Sequence, residues 1–390
     1  MLPTHDLRPH YDCVLVGARC AGAATAMLLA RRGLRVLAVD RRPYGADALS
    51  THALMRAGVL QLHRWGLIGA LRAAATPEIR TTTFHYGDDA VAIPITARGG
   101  VDALYAPRRT VLDRVLADAA GAAGAELRFC VSVQALRRGA AGRVTGVTLL
   151  DERGRTVEVE ANLVIGADGI GSRVASEVGA RTYREARHAT ATALAYFAGL
   201  PQAGYHWYWN PGIAAGIIPT NDGLSCAFVA APPERLVEAL AGDVDGGFRR
   251  LFTEAAPTDS DPLGGAQRVT SYRRFAGVRG YLRRSHGPGW ALVGDAGYFK
   301  DPLTSHGISD ALRDAELLAR AVVDGSPCAY ADYQATRDEL SAALFETTDR
   351  VASFAWDLAE IRTLHTALSD AMRAENRYLA GMDEGAERAA

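Results

Sequence analysis

The chain of 390 residues is short of lysine, paired cysteines, net charge and long apolar runs. Lys300 is the only lysine, so the other 42 of 43 basic residues are arginine, and any chemistry that needs a lysine amine must use Lys300. The five cysteines, Cys13, Cys20, Cys130, Cys226 and Cys328, are odd in number and scattered, with no CxxC pair. This argues against a disulfide framework and a structural zinc site, and for a reducing compartment. With 43 basic against 44 acidic residues, the formal charge of −1 supplies no electrostatic footprint for nucleic acid and no acidic disordered tail. No uncharged apolar stretch reaches the roughly 18 residues of a transmembrane segment. Met1–His10 lacks the apolar core of a secretory leader, so a cytoplasmic protein is expected.

Apolar residues (48%) and 40 glycines are plentiful, which suits two or three modules with tight turns. Cys13–Val16 reads as a short strand, Gly17–Gly22 as a turn and Ala23–Arg32 as a helix stopped at Gly33. Arg35–Val39 is a second strand ending at Asp40, which completes a βαβ unit. Val59–Ala75 reads as helical, Arg80–Ile95 as strands and Arg109–Ala123 as an amphipathic helix. Glu126–Leu150 and Thr156–Val164 look like paired strands. Short strands fill 190–231, with a hairpin turn at Asn221–Gly223. Trp290–Val293 is a buried strand, Ile308–Val323 a helix, and helix formers dominate from Tyr330 to Met382. The expected fold is α/β: a Rossmann-like three-layer nucleotide domain (1–75, 106–180, 286–330), an inserted β-sheet substrate domain (76–105, 181–285) and C-terminal helices (331–390).

Gly17-Ala-Arg-Cys-Ala-Gly22 sits where a dinucleotide fingerprint should, strand before and helix after, with Arg19 in place of the middle glycine. Gly17, Arg19, Ala21 and Gly22 are the expected pyrophosphate contacts. Asp40, with Arg41 beside it, is placed to accept a ribose hydroxyl. This motif alone does not choose between NAD and FAD. Two further segments do, Val164-Ile-Gly-Ala-Asp168-Gly169-Ile-Gly171 and Ala291-Leu-Val-Gly294-Asp295-Ala-Gly-Tyr-Phe-Lys-Asp301-Pro302-Leu-Thr-Ser305-His-Gly307-Ile308. With them the chain, from about Tyr11 to Val323, resembles the flavoprotein monooxygenases of the para-hydroxybenzoate hydroxylase fold and their relatives, the flavin-dependent halogenases and geranylgeranyl reductases.

That resemblance implies bound FAD. Gly294 and Asp295 would meet its ribityl or ribose part, Asp168 and Gly169 would lie near the pyrophosphate, and Arg109, with Arg108 as competitor, would contact FAD from its helix. Pro302, Gly307 and Ile308 would pass beside the flavin ring, where a helix N-terminus stabilises negative charge near N1 of the reduced flavin. It also implies O2 and NADPH or NADH as co-substrates, or reduced flavin from a separate reductase, since no second nucleotide domain is present. The leading expectation is hydroxylation of an aromatic or polyketide-like molecule in secondary metabolism through a C4a-hydroperoxide of the flavin. An alkene reductase of the geranylgeranyl type is the alternative, followed by halogenation; a non-catalytic FAD-binding protein is a further class. Against halogenation, that branch needs a lysine in the first third of the chain and a W-x-W-x-I-P segment. Here no lysine precedes Lys300, and Ala214 and Gly216 stand at the tryptophan positions before Ile218–Pro219.

Tyr205, Trp207 and Trp209 alternate along one strand face and are the candidate substrate wall, while His206 and Tyr208 face the other way. His52, Lys300 and His306 are the candidate catalytic groups; Lys300 or His306 could tune the ionisation of a phenol. No metal-ligand spacing stands out.

Overall fold

The computed structural model describes residues 7–387; residues 1–6, most of the stretch inspected for a leader, and 388–390 lie outside it. β1 (His10–Val16) is the hub of the first sheet. It pairs in parallel with β2 (Val36–Asp40) on one side and with the strand Thr156–Gly166 on the other. Glu126–Phe129 extends this sheet in parallel beyond β2, and Trp290–Leu292 extends it beyond 156–166. Parallel neighbours need crossovers, and the first is α1 (Cys20–Ala30). All eleven residues of α1 are buried, and five of them are alanine. Small side chains all round let it pack between the sheet and the helices Arg109–Ala122 and Gly307–Asp324.

Alternation in β1 sets the layers. Cys13 and Leu15 face the helices, whereas Val14 and Val16 face the antiparallel strands Ser132–Arg138 and Val144–Leu150. The expected pairing within 126–150 is thus divided: Glu126–Phe129 joins the parallel edge, and only the later two strands form a meander with 156–166. The expected helix over 59–75 is broken into Arg56–Arg64 and Ile68–Ala73, because Gly66 takes φ +77° between them.

The second sheet joins strands 81–86, 89–94, 191–198, 205–210, 213–219 and 225–231, with short edges at 267–268 and 273–275. Its pairings are antiparallel except for Tyr205–Asn210 beside Thr81–Tyr86, which is why segments so distant in sequence share the sheet. One face, carrying Phe197, Tyr208, Ile217 and Val229, packs on the helix Val244–Ala255. The opposite face, carrying Tyr205, Trp207, Trp209 and Phe228, turns towards the first domain. A three-stranded sheet (Thr182–Glu185, Tyr281–Arg283, Tyr298–Phe299) links the two. The chain closes with the helices Ala329–Ala352 and Leu358–Glu387, packed on each other. No described helix is long and apolar enough to cross a membrane.

Candidate active site

At the turn after β1, Gly17 takes φ +103°, and a Cβ there would lie 2.4 Å from the Ala167 carbonyl oxygen. A Cβ on Gly22 would come within 1.8 Å of the Gly17 carbonyl oxygen. Both positions therefore require glycine, because helix start and neighbouring loop pass in backbone contact. α1 begins at Cys20 with no side-chain cap, which leaves first-turn N–H groups available to an anion. The Asp40 carboxylate accepts the N–H of Ala18 (3.0 Å) and of Arg42 (2.9 Å), clamping the turn to the end of β2 with lone pairs to spare. Arg41 is exposed beside it. Arg19 turns its guanidinium to the carbonyls of Ala46 and Asp47, at 3.2 and 3.4 Å, so it pins the 46–47 loop.

Asp168 is committed to its own neighbourhood. It accepts the Ser172 hydroxyl (2.5 Å) and the N–H groups of Arg173 and Val174, which starts the helix Arg173–Glu177. What it leaves open is the backbone of Gly169, at φ +80° with nothing within 4 Å of where a Cβ would stand. Gly294 takes φ +59° against the Ala21 methyl. The Asp295 carboxylate, half-buried, has no hydrogen bond or ion pair among the described residues; only its carbonyl is used, by the Tyr281 hydroxyl. Burial pushes its carboxyl up to about 6, opposed by the charges of Lys300 and Arg109. Arg109 is held by Asp113 at 2.9 and 3.1 Å. Its neighbour Arg108 lies over the Tyr196 ring, 4.6 Å from the centroid. An unspent carboxylate, an uncapped helix start and two glycines that tolerate no Cβ fit the phosphates and hydroxyls of FAD.

The loop before the helix Gly307–Asp324 runs Pro302–Thr304 as one 3₁₀ turn and reverses at Ser305, φ +51°. Gly307 is exposed at the uncapped helix start, with Ile308 half-buried behind it. Leu303, Thr304 and His306 of this loop line a cavity of about 560 Å³. Tyr205, Trp207 and Trp209 all reach the same cavity, together with Phe84 and Tyr86 of the neighbouring strand. Trp207 donates to the Thr82 hydroxyl (2.9 Å), whereas the Trp209 Nε1 has no acceptor among the described residues.

The three candidate catalytic groups are placed differently. Lys300 is fully buried in an ion pair with Asp310 and does not line the cavity; burial and the Arg313 charge push its amine down to about 7. His52, at φ +67°, is buried against Tyr196 outside the cavity wall, its Nε2 joined to the tyrosine hydroxyl and its Nδ1 without a partner among the described residues. Burial, then Arg109 and Arg108, keep it neutral. Only His306 stands on the wall, bonded through Nε2 to Glu375 at 2.7 Å. His306, Asp310 and Glu375 have ligand atoms within 4.8 Å of one another. Lys300 and Arg313 already supply their positive charge, so a cation there would meet repulsion.

The C-terminal helix was expected only as a helix, yet it forms one whole side of the cavity. His365 stacks edge-on against Trp209 (4.4 Å) and its Nδ1 is hydrogen-bonded to the Tyr86 hydroxyl (2.8 Å); burial lowers its pKa to about 3. The sequence held a signal for Glu375. Ile361, Leu364, Leu368, Met372 and Leu379 form a stripe at three- and four-residue spacing, and Glu375 is the one charge within it.

A family model described as "FAD binding domain" matches residues 10–346. The chain is 26% identical over 334 residues to digeranylgeranylglycerophospholipid reductase 1 of Methanococcoides burtonii, covering 81% of this chain and 75% of that protein. It is 27% identical over 334 residues to the menaquinone reductase of Mycolicibacterium smegmatis, covering 82% and 78%. Its fold is similar to PqsL of P. aeruginosa, solved with 2-aminobenzoylacetate (TM-score 0.76, 21% identity, 92% of this chain and 100% of that one). It is similar also to a myxobacterial chondrochloren halogenase (TM-score 0.76, 21% identity, 87% and 81%). The chain belongs to the FAD-binding-domain family and is an FAD-dependent oxidoreductase.

Proposed function

We propose that the protein is a monooxygenase that hydroxylates a planar aromatic or polyketide-like molecule, using O2 and NADPH or NADH, or reduced flavin from a partner reductase, in the cytoplasm and in secondary metabolism. The observation that carries this reading is the cavity: about 560 Å³, walled by Phe84, Tyr86, Tyr205, Trp207 and Trp209, and touching the loop that leads to Gly307. Rings of this kind stack on a flat ligand and exclude water. Bound FAD would supply electrons and the place where O2 is activated. Gly17, Ala21 and Gly22 would admit its pyrophosphate, Asp40 and Asp295 its hydroxyls, and the helix start at Gly307–Ile308 the negative end of its ring. Lys300 is left a supporting role, since its amine is spent on Asp310 outside the cavity. The same placement argues against halogenation through this lysine.

A second reading has one specific observation behind it. Relatives similar over about four-fifths of the chain are named as reductases of digeranylgeranylglycerophospholipid and menaquinone, and the cavity is apolar enough for an isoprenoid. The experiment is to mix reduced, FAD-loaded protein with isotopically labelled O2 and a phenolic ligand. Label in a hydroxylated product supports the oxygenase reading. Anaerobic saturation of a prenyl alkene, with no label taken up aerobically, replaces it with the second.

A further inference from the structure

We propose that His306 and Glu375 form a proton-accepting pair that selects a substrate carrying an acidic hydroxyl on an aromatic or enolic ring, with Glu375 as the positioning residue. The proposal rests on the cavity being the substrate site of the reading above.

His306 Nε2 and Glu375 Oε2 are 2.7 Å apart, and neither side chain has any exposure. The other Glu375 oxygen accepts from Arg313 Nη1 at 2.9 Å, and Arg313, itself fully buried, is held by Asp314 and the Ser341 hydroxyl. Burial works against the Glu375 charge, but the hydrogen bond from His306 and the positive charges of Arg313 and Lys300 outweigh it and hold the carboxyl below its usual range. An ionised carboxylate only accepts, so Nε2 of His306 must carry its hydrogen. Burial, helped by Lys300 and Arg313, favours the neutral ring over the effect of Glu375. A neutral imidazole with hydrogen on Nε2 has a bare lone pair on Nδ1. That Nδ1 is buried without a hydrogen-bond partner among the described residues, and His306 belongs to the cavity wall. Buried acceptors are normally paired, so this one is matched by a donor on the ligand.

A hydroxyl on an oxidisable ring is the donor that makes use of it. As the ring is attacked, the O–H bond breaks and its electron pair stays on oxygen, drawn into the ring. The proton forms a new Nδ1–H bond, and the imidazolium so made lies against the Glu375 carboxylate. The proton leaves again when product is released. The unpartnered Trp209 Nε1 on the same wall is a donor, which suits a second, carbonyl oxygen on the ligand. A hydroxylated aryl ketone or quinone offers both.

The test uses FAD-loaded protein and two probes of one shape, 1-naphthol and its methyl ether, titrated by calorimetry. The wild type should bind the naphthol about tenfold more tightly than the ether, a difference of about 1.4 kcal/mol. In His306→Gln and in Glu375→Gln that preference should shrink severalfold while the ether's own affinity holds. Nitrogen NMR of histidine-labelled wild type should show His306 bare at Nδ1 and protonated at Nε2, a signature a merely structural pair need not give. If Glu375→Gln fails to load FAD, His306→Gln and the NMR spectrum decide. A protonated Nδ1, or an undiminished preference in His306→Gln, overturns the pair. Equal binding of both probes by the wild type overturns the pair and leaves the aromatic cavity standing; binding of neither overturns both.

Discussion

The glycine turn after β1 and the aromatic cavity differ in which atoms do the work. At the turn, backbone does it: Gly17 and Gly22 let main chain pass within contact of main chain, and α1 offers its own N–H groups. These residues lie within six positions of each other, and no side chain but glycine's fits. In the cavity, side chains do it, brought from the strand at 81–86, the strand at 205–210, the loop at 302–306 and the helix from 358. A backbone site tolerates almost no change and serves one ligand. A side-chain site keeps its frame while its wall is altered, so the first should identify the cofactor and the second the substrate.

Substitutions that separate the two regions put this contrast to the test. The largest effect belongs to Gly22→Ala. Its methyl would collide with the Gly17 backbone, which cannot swing aside as a side chain can, so it should cost at least about 4 kcal/mol or leave the protein insoluble and colourless. Flavin content and thermal unfolding measure this, and a yellow, stable variant would break the contrast.

Next comes Asp295→Asn. Burial raises this carboxyl from 3.8 to about 6, so the folded flavin-free protein holds a proton that the unfolded chain has already released. Its stability therefore falls as pH rises between these values, because ionisation is penalised only in the fold. The asparagine variant should melt higher than wild type at pH about 7, match it in acid, and yet bind FAD about tenfold more weakly. For wild type, FAD affinity should weaken as pH falls through about 6.

Trp209→Phe should be milder. The indole Nε1 has no partner to lose among the described residues, so the change should cost less than about 1.5 kcal/mol and leave flavin content intact. Its effect should appear when ligand binds, in an affinity read by the same calorimetry. The smallest change is expected from Arg362→Gln at the cavity rim, which breaks an exposed pair with Asp89 and should move stability by no more than about 1 kcal/mol.

The same contrast explains what could be read from the chain. The βαβ unit was legible because strand, glycine turn, alanine-rich helix and Asp40 follow one another in sequence, and local chemistry decides each. The alternation of Tyr205, Trp207 and Trp209 was legible for the same reason: a strand has a period of two, and all three meet the cavity. His306 and Lys300 looked equivalent beside the flavin loop, and only the fold separates them, by setting the lysine on Asp310 and the histidine on Glu375. Glu375 lies 69 residues beyond His306, and its single local sign was a charge within an apolar stripe. The 126–150 region misled because strand propensity says that strands form, while partners depend on the whole sheet.

Whether the cavity opens on the flavin is tested most directly by adding 1-naphthol to the yellow, FAD-loaded protein and following the flavin's visible absorption band. The arrangement described here requires the band to shift with the saturation curve found by calorimetry, and the shift to change in Trp209→Phe. Tight binding with an unmoved band would place the ligand away from the flavin and contradict the account.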